Sequence, residues 1–226
     1  MSTGLCIPSV ALFLEVCLVM FTFPFSGLYA ITAETHSTPE QLAQAVKAAL
    51  RGGAKVIQYR AKSTQNRLTE AKLLLAVCHA FQVPLIINDD SELALASGAD
   101  GVHLGRDDGS IVEARRRLGE KAIIGVSCYN SVERALEAQV AGASYVAFGR
   151  FFPSSSKPNA PCAQLETLVS AKQLLRLPIV VIGGITPANG QSLLEAGADL
   201  LAVIDGVFGT GDPEQAALAF KPLFAW

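Results

Sequence analysis

The chain has 226 residues and a formal net charge of -2, a length that fits one domain and a balance without the basic excess that nucleic-acid binding requires. Half of the residues are hydrophobic, enough for a sizeable core. The cysteines Cys6, Cys17, Cys78, Cys128 and Cys162 are odd in number and form no Cys-x-x-Cys pair, which excludes an obvious disulfide frame or zinc site and fits a reducing, cytoplasmic setting.

Residues 1–26 stand apart. From Leu5 to Phe25 the chain is almost wholly apolar, and its length would permit a membrane span. Yet no Lys or Arg precedes Lys47, so the segment has neither a signal n-region nor a positive-inside anchor. Glu15 lies in its middle, and Pro8 and Pro24 interrupt it. The expectation is a dispensable extension, or a translation start at or after Met20, with no membrane association and a folded domain over 27–226.

From Gly27 onward, short apolar runs alternate with longer helical patterns. Gly27–Thr32 reads as the first strand, and Thr38-Pro39-Glu40 then opens a helix with Thr as N-cap and Pro in the first turn. Further strands are predicted at Val56–Tyr59, Leu85–Asn88, Gly101–His103, Ala122–Val126, Tyr145–Phe148, Ile179–Ile182 and Leu200–Ile204, with Pro213 starting the last helix. Eight strands, each followed by a helix, imply a parallel sheet with right-handed crossovers. A single closed (β/α)8 barrel, the TIM-barrel fold of the α/β class, is the most economical arrangement, and such barrels occur from about 200 residues upward.

An internal repeat supports this reading. Gly-Ala pairs at 53, 98, 142 and 197 each end a helix, and a strand begins within a few residues. Their spacings of 45, 44 and 55 residues place them before strands two, four, six and eight, as two βα units per repeat require. Glycine suits the left-handed cap that a β-carbon disfavours. Pro153 to Cys162, rich in Ser and Pro, is long for a loop of this kind and is read as an active-site lid.

In such barrels chemistry sits at the C-terminal ends of the strands. After strand two come Gln58, Arg60 and Lys62, spaced by two and so on one side of an extended segment. Strand three ends in Asn88, Asp89 and Asp90, and strand four in His103, followed by Arg106, Asp107 and Asp108. Ser127 ends strand five, and strand six leads to Arg150, Ser154, Ser155, Ser156 and Lys157. Gly183-Gly184 follows strand seven, and Ile204-Asp205-Gly206 closes strand eight.

Asp89 and Asp108 come from neighbouring strands and have the chemistry to share Mg2+, a hard cation that takes carboxylate oxygens, phosphate oxygens and water. Helix capping is the alternative, and it suits Asp90 and Asp107 better. Arg60, Lys62 and Lys157 supply charge for a diphosphate. Gly183-Gly184 lets backbone approach a ligand closely and feeds a helix N-terminus, where an anion is favoured. His103 reads either as a general base or as a hydrogen-bonded structural residue. His36 and His79 carry no argument.

In order along the chain, Gln58-Tyr59-Arg60-Ala61-Lys62, Ile86-Ile87-Asn88-Asp89, Gly101-Val102-His103-Leu104-Gly105-Arg106-Asp107-Asp108, Gly125-Val126-Ser127, Pro153-Ser154-Ser155-Ser156-Lys157 and Ile182-Gly183-Gly184-Ile185 resemble the pattern of the thiamine phosphate synthase family. The likeness runs from Gly27 to the C-terminus. It implies that a hydroxymethylpyrimidine diphosphate loses diphosphate while a thiazole phosphate nitrogen takes the pyrimidine methylene, with Mg2+ as cofactor and phosphorylated small molecules as partners. It further implies that Gln58, Arg60, Lys62 and Asn88 hold the pyrimidine diphosphate, and that Asp89 and Asp108 hold the metal. Ser127 and Lys157 would lie beside the reacting groups, catalytic together with Arg60. Ser154, Ser156, Gly184, Ile204 and Asp205 would surround the thiazole phosphate.

The chain departs from that pattern in places. Ser154 and Ser156 replace the usual Thr, Arg106 replaces a usual Gln, and Ala33 replaces a frequent acid. Asp205 stands where the family often has Ser, and its carboxylate is expected to turn away from the phosphate. Two other readings share much of the pattern: a thiazole-phosphate isomerase of the same superfamily, and a non-catalytic paralogue that binds thiamine precursors. A homo-oligomer is compatible with a barrel this small, but nothing in the sequence specifies one.

Overall fold

The computed structural model describes residues 21–33, 38–61, 65–153 and 162–224. Eight parallel strands follow one another around a closed barrel: β1 (Gly27–Ile31), β2 (Val56–Tyr59), β3 (Leu85–Asn88), β4 (Gly101–Leu104), β5 (Ile123–Tyr129), β6 (Tyr145–Gly149), β7 (Ile179–Ile182) and β8 (Leu200–Val203). The register Gly27↔Leu200 to Ala30↔Val203 joins β8 to β1 and closes the ring. Crossover helices α1 (Pro39–Arg51), α2 (Arg67–Ala80), α3 (Ser91–Ser97), α4 (Ile111–Leu118), α5 (Val132–Val140), α6 (Leu165–Leu174) and α7 (Gly190–Glu195) connect the strands. This is the TIM barrel expected from the alternation of apolar runs.

Local chemistry explains the element ends. Thr38 accepts a hydrogen bond from the Gln41 N–H and Pro39 occupies the first turn of α1. Asp90 caps α3 through the Leu93 N–H, as its position suggested. Ser110 and Glu113 form a reciprocal capping box on α4. Gly53, Gly98, Gly142 and Gly197 all take positive φ, at 99°, 75°, 89° and 113°, so the repeat does mark left-handed helix exits.

Several strand ends differ from the sequence reading by one residue, and two differences are larger. Strand β5 continues to Tyr129, and its pairing with β6 shifts register between Ser127 and Tyr129. A bulge of this kind bends a strand and re-aims its side chains, which a periodicity argument does not detect. A short helix α8 (Asp205–Phe208) follows β8 directly, before α9 (Pro213–Leu218) and a terminal 3-10 turn over Lys221–Phe224.

Two layers of apolar packing hold the barrel. Leu28, Ala30, Ile57, Leu85, Ile87, Val102 and Leu104 face outward against the helices. The alternate residues Tyr29, Ile31, Val56, Ile86, Ile123, Tyr145, Val180 and Leu200 fill the interior. Phe23, assigned above to the extension, belongs to this inner cluster and is 6% exposed. It packs where the strands begin, and Phe21 sits against the same cluster. The barrel core therefore includes residues ahead of Gly27; residues 1–20 lie outside the described part. Among the described residues, no helix is long and apolar enough to cross a membrane.

Candidate active site

A cavity of about 700 Å³ opens at the C-terminal ends of the strands, within the size range of small-molecule sites. Its wall contains Gln58, Arg60, Asn88, Asp89, Asp108, Ser127, Gly184, Ile204 and Asp205. The fold thus gathers every described candidate from six strand ends into one space. Lys62, Ser154, Ser156 and Lys157 lie outside the described residues, as does the body of the proposed lid.

The two acidic candidates meet at Gly105. Asp89 follows β3 in a left-handed conformation, φ 65°, and its Oδ2 accepts from Asn88 Nδ2 at 2.6 Å. Asp108 Oδ2 accepts from the Gly105 N–H at 2.8 Å, closing a tight turn after β4. A β-carbon placed on Gly105 would lie 2.5 Å from Asp108 Oδ2 and 4.0 Å from Asp89 Oδ1, so both carboxylates border the same spot beside Gly105. Among the described residues, no group of three or more His, Cys, Asp or Glu is placed to hold a metal. A pair of oxygen donors beside an open cavity nevertheless fits Mg2+, which takes its remaining ligands from water and substrate rather than from a protein cage.

The Arg60 backbone is held by the end of the neighbouring strand. Thr32, buried at the end of β1, accepts from the Arg60 N–H at 2.9 Å and donates to the Arg60 carbonyl at 3.3 Å. On the opposite wall, Arg134 donates from Nε to the Ser127 carbonyl at 2.8 Å, and the guanidinium groups of Arg106 and Arg134 lie 5.1 and 5.9 Å from the Tyr129 ring centre.

The cavity floor is a chain of buried hydrogen bonds. Gln58 Nε2 donates to the Tyr29 hydroxyl at 2.8 Å, and the hydroxyls of Tyr29 and Tyr145 are 2.7 Å apart. Tyr145 reaches His103 Nδ1 at 2.9 Å, and His103 Nε2 reaches Ser127 Oγ at 2.9 Å. Burial pushes both phenols well above the ordinary tyrosine range, so both stay protonated. His103 is thereby engaged on both ring nitrogens, the hydrogen-bonded alternative of the two weighed above. Tyr29 and Tyr145 escaped the sequence reading because an aromatic residue in a strand reads as core.

The glycine pair after β7 has a further role. Gly183 and Gly184 take φ values of 109° and 63°. A β-carbon on Gly183 would overlap Arg150, and one on Gly184 would overlap the Pro153 carbonyl. The pair therefore admits the backbone that follows β6. It does not feed a helix directly: α7 starts only at Gly190, after a turn in which Asn189 accepts from the Thr186 N–H and donates to the Gly184 carbonyl. Asp205 opens α8, is exposed, and lines the cavity.

Residues 28–207 match the profile of a family described as thiamine monophosphate synthase. The chain belongs to that family. It is 55% identical over 201 residues to the thiamine-phosphate synthase of Nitrosococcus oceani, covering 88% of this chain and 92% of that protein. The thiamine-phosphate synthase of Thiobacillus denitrificans is 51% identical over 208 residues, covering 91% and 98%. Among solved structures, the thiamine phosphate pyrophosphorylase from Pyrococcus furiosus superimposes with a TM-score of 0.79 at 34% identity, covering 88% of this chain and 95% of that one.

Proposed function

We infer that the chain is a thiamine-phosphate synthase, a transferase that joins 4-amino-2-methyl-5-hydroxymethylpyrimidine diphosphate to 4-methyl-5-(2-phosphoethyl)thiazole, giving thiamine phosphate and diphosphate. The observation that carries the reading is the convergence of Gln58, Arg60, Asn88, Asp89, Asp108 and Ser127 on one cavity in a chain so closely related to proteins bearing that name.

The chemistry needs a leaving diphosphate, a stabilised electron-poor methylene and a dry site. The methylene carbon–oxygen bond breaks and its electron pair leaves with the diphosphate. The thiazole nitrogen then gives its lone pair to the methylene carbon, and no protein nucleophile is consumed. Arg60, whose backbone Thr32 holds at the cavity wall, would bring a permanent positive charge to the departing diphosphate. Asn88 and Gln58 supply donors on the same wall. Asp89 and Asp108 would hold Mg2+, which when bound neutralises phosphate oxygens and eases departure. Lys62 and Lys157 would add charge, and Ser154, Ser156, Gly184 and the backbone at Ile204 would receive the thiazole phosphate. The apolar interior beneath, with Ile31, Val180 and Ala202 on the cavity wall, favours exclusion of water from the reactive methylene.

The test is to incubate the purified protein with both substrates and Mg2+ and to measure thiamine phosphate and diphosphate together. Equal formation of both, abolished by EDTA, is expected. Folded protein that forms neither product would overturn the reading.

A further inference from the structure

Donor and acceptor capacity favours one direction for the chain from Gln58 to Ser127. Each tyrosine carries one hydroxyl hydrogen, and Gln58 presents its amide donor, Nε2, to Tyr29. With that oxygen already accepting, the Tyr29 hydrogen goes to Tyr145 and the Tyr145 hydrogen to His103 Nδ1. Neutral His103 then carries its own hydrogen on Nε2 and donates it to Ser127 Oγ. The Ser127 hydrogen is left to point elsewhere, and Ser127 lines the cavity. In the reverse direction the Tyr29 hydrogen would meet the Gln58 amide hydrogens, so these contacts favour one polarity.

We propose that Tyr29, Tyr145 and His103 are positioning residues forming a polarised relay, set by the Gln58 amide, that holds Ser127 as a hydrogen-bond donor to an acceptor atom of the substrate. The identity of that substrate rests on the synthase reading; the relay itself does not. Two packing features keep it in place. Gly125 has no side chain where the Tyr145 ring lies, since a β-carbon there would overlap the ring and hydroxyl. Phe23 stacks on the same ring at 4.0 Å. Tyr29 and Tyr145 are 1% and 0% exposed, so solvent does not compete for their hydrogens.

The relay is read by 15N NMR of the imidazole groups in substrate-free, full-length protein at pH 8, with the His103 signals assigned by a His103→Gln variant. Wild type is expected to show one neutral tautomer with the hydrogen on Nε2. Tyr145→Phe removes the donor to Nδ1, and Tyr29→Phe removes the step that orients it. Each is expected to mix the tautomers and to lower kcat roughly tenfold, the scale of one misdirected hydrogen bond, with both KM values within about twofold. Gln58→Glu replaces the terminal donor by an acceptor and is expected to move the hydrogen to Nδ1. A wild-type hydrogen on Nδ1 would overturn the relay, as would tautomers or kcat unchanged in a folded tyrosine variant. If Tyr145→Phe does not fold, Tyr29→Phe decides alone. A wild-type Nε2–H tautomer in protein that makes no thiamine phosphate upholds the relay and overturns the synthase reading.

Discussion

The ring of Phe23 lies 4.0 Å from that of Tyr145 and within 8° of parallel to it. This contact ties a residue ahead of the first strand to the hydroxyl that faces His103 across the barrel. Phe23 therefore closes the barrel end opposite the cavity and supports the cavity floor from beneath.

Removing the ring opens a cavity beneath Tyr145. Phe23→Ala should cost about 3 kcal/mol, the scale of a buried Phe→Ala change, and should lower kcat as Tyr145 gains freedom. A chain begun at Gly27 should lose at least as much stability. Urea midpoints of the three proteins check this. Equal midpoints for the Gly27 start and the full chain would show that the stacking contributes nothing.

The converging carboxylates allow charge and backbone effects to be separated. Asp89 sits at φ 65°, a region that Asn and Asp enter readily and other side chains resist. Asp89→Asn should leave stability almost unchanged while lowering kcat/KM at least a hundredfold and raising the Mg2+ concentration needed for half-maximal rate. Asp89→Ala should do the same and also destabilise by about 1 kcal/mol through the left-handed backbone. Activity titrated with Mg2+, beside thermal melts, resolves the two effects. Full activity of Asp89→Asn in EDTA would remove Asp89 and the metal from the reaction.

Gly184 tests the junction between the β6 and β7 ends. Its φ of 63° and the adjacent Pro153 carbonyl leave no room for a β-carbon, and Phe152 Cβ would be 2.9 Å away. Gly184→Ala should destabilise by about 1–3 kcal/mol, the usual range for overpacking, and raise the KM for the thiazole phosphate more than that for the pyrimidine diphosphate. Equal effects on both KM values would detach Gly184 from the thiazole site.

Asp205 brings a negative charge to the cavity wall, where the thiazole phosphate is expected. The sequence reading turns this carboxylate away from the phosphate; its exposed place on the cavity wall lets substitution decide between the two orientations. Asp205→Ser should lower the KM for the thiazole phosphate several-fold, an effect that shrinks with added salt as screening of an exposed charge requires. An unchanged KM at low salt would mean that the carboxylate faces away from the phosphate.

Much of this architecture is legible in the residues because it rests on short-range rules. Thr38-Pro39 can only begin a helix well, the Gly-Ala pairs recur in phase, and the strand-end residues converge once the barrel is assumed. The relay was not legible. Tyr29 and Tyr145 are 116 positions apart, and their meeting depends on the stagger of the strands and on the space left by Gly125. Phe23 was hidden for the opposite reason: within a uniformly apolar run, nothing distinguishes the one ring that enters the core. The bulge after Ser127 likewise breaks strand periodicity without a Gly or Pro to announce it.

Asp100 offers a prediction whose sign runs against the usual acid sensitivity of buried carboxylates. It accepts from the Leu85 N–H at 2.8 Å and lies 3.1 Å from His79 Nε2. Burial raises its pKa above the ordinary 3.8, outweighing the lowering by those contacts. The folded protein thus holds this proton more tightly than the unfolded chain does. Stability from this group rises as pH falls through the raised folded value and is complete below the ordinary one; it is lost again as pH rises. Asp100→Asn keeps an acceptor for the Leu85 N–H but does not titrate. At pH values below the ordinary histidine range, urea midpoints of wild type minus those of Asp100→Asn should therefore increase toward the ordinary Asp range. A difference that shrinks on acidification would mean that the ion pair with His79, not burial, governs Asp100.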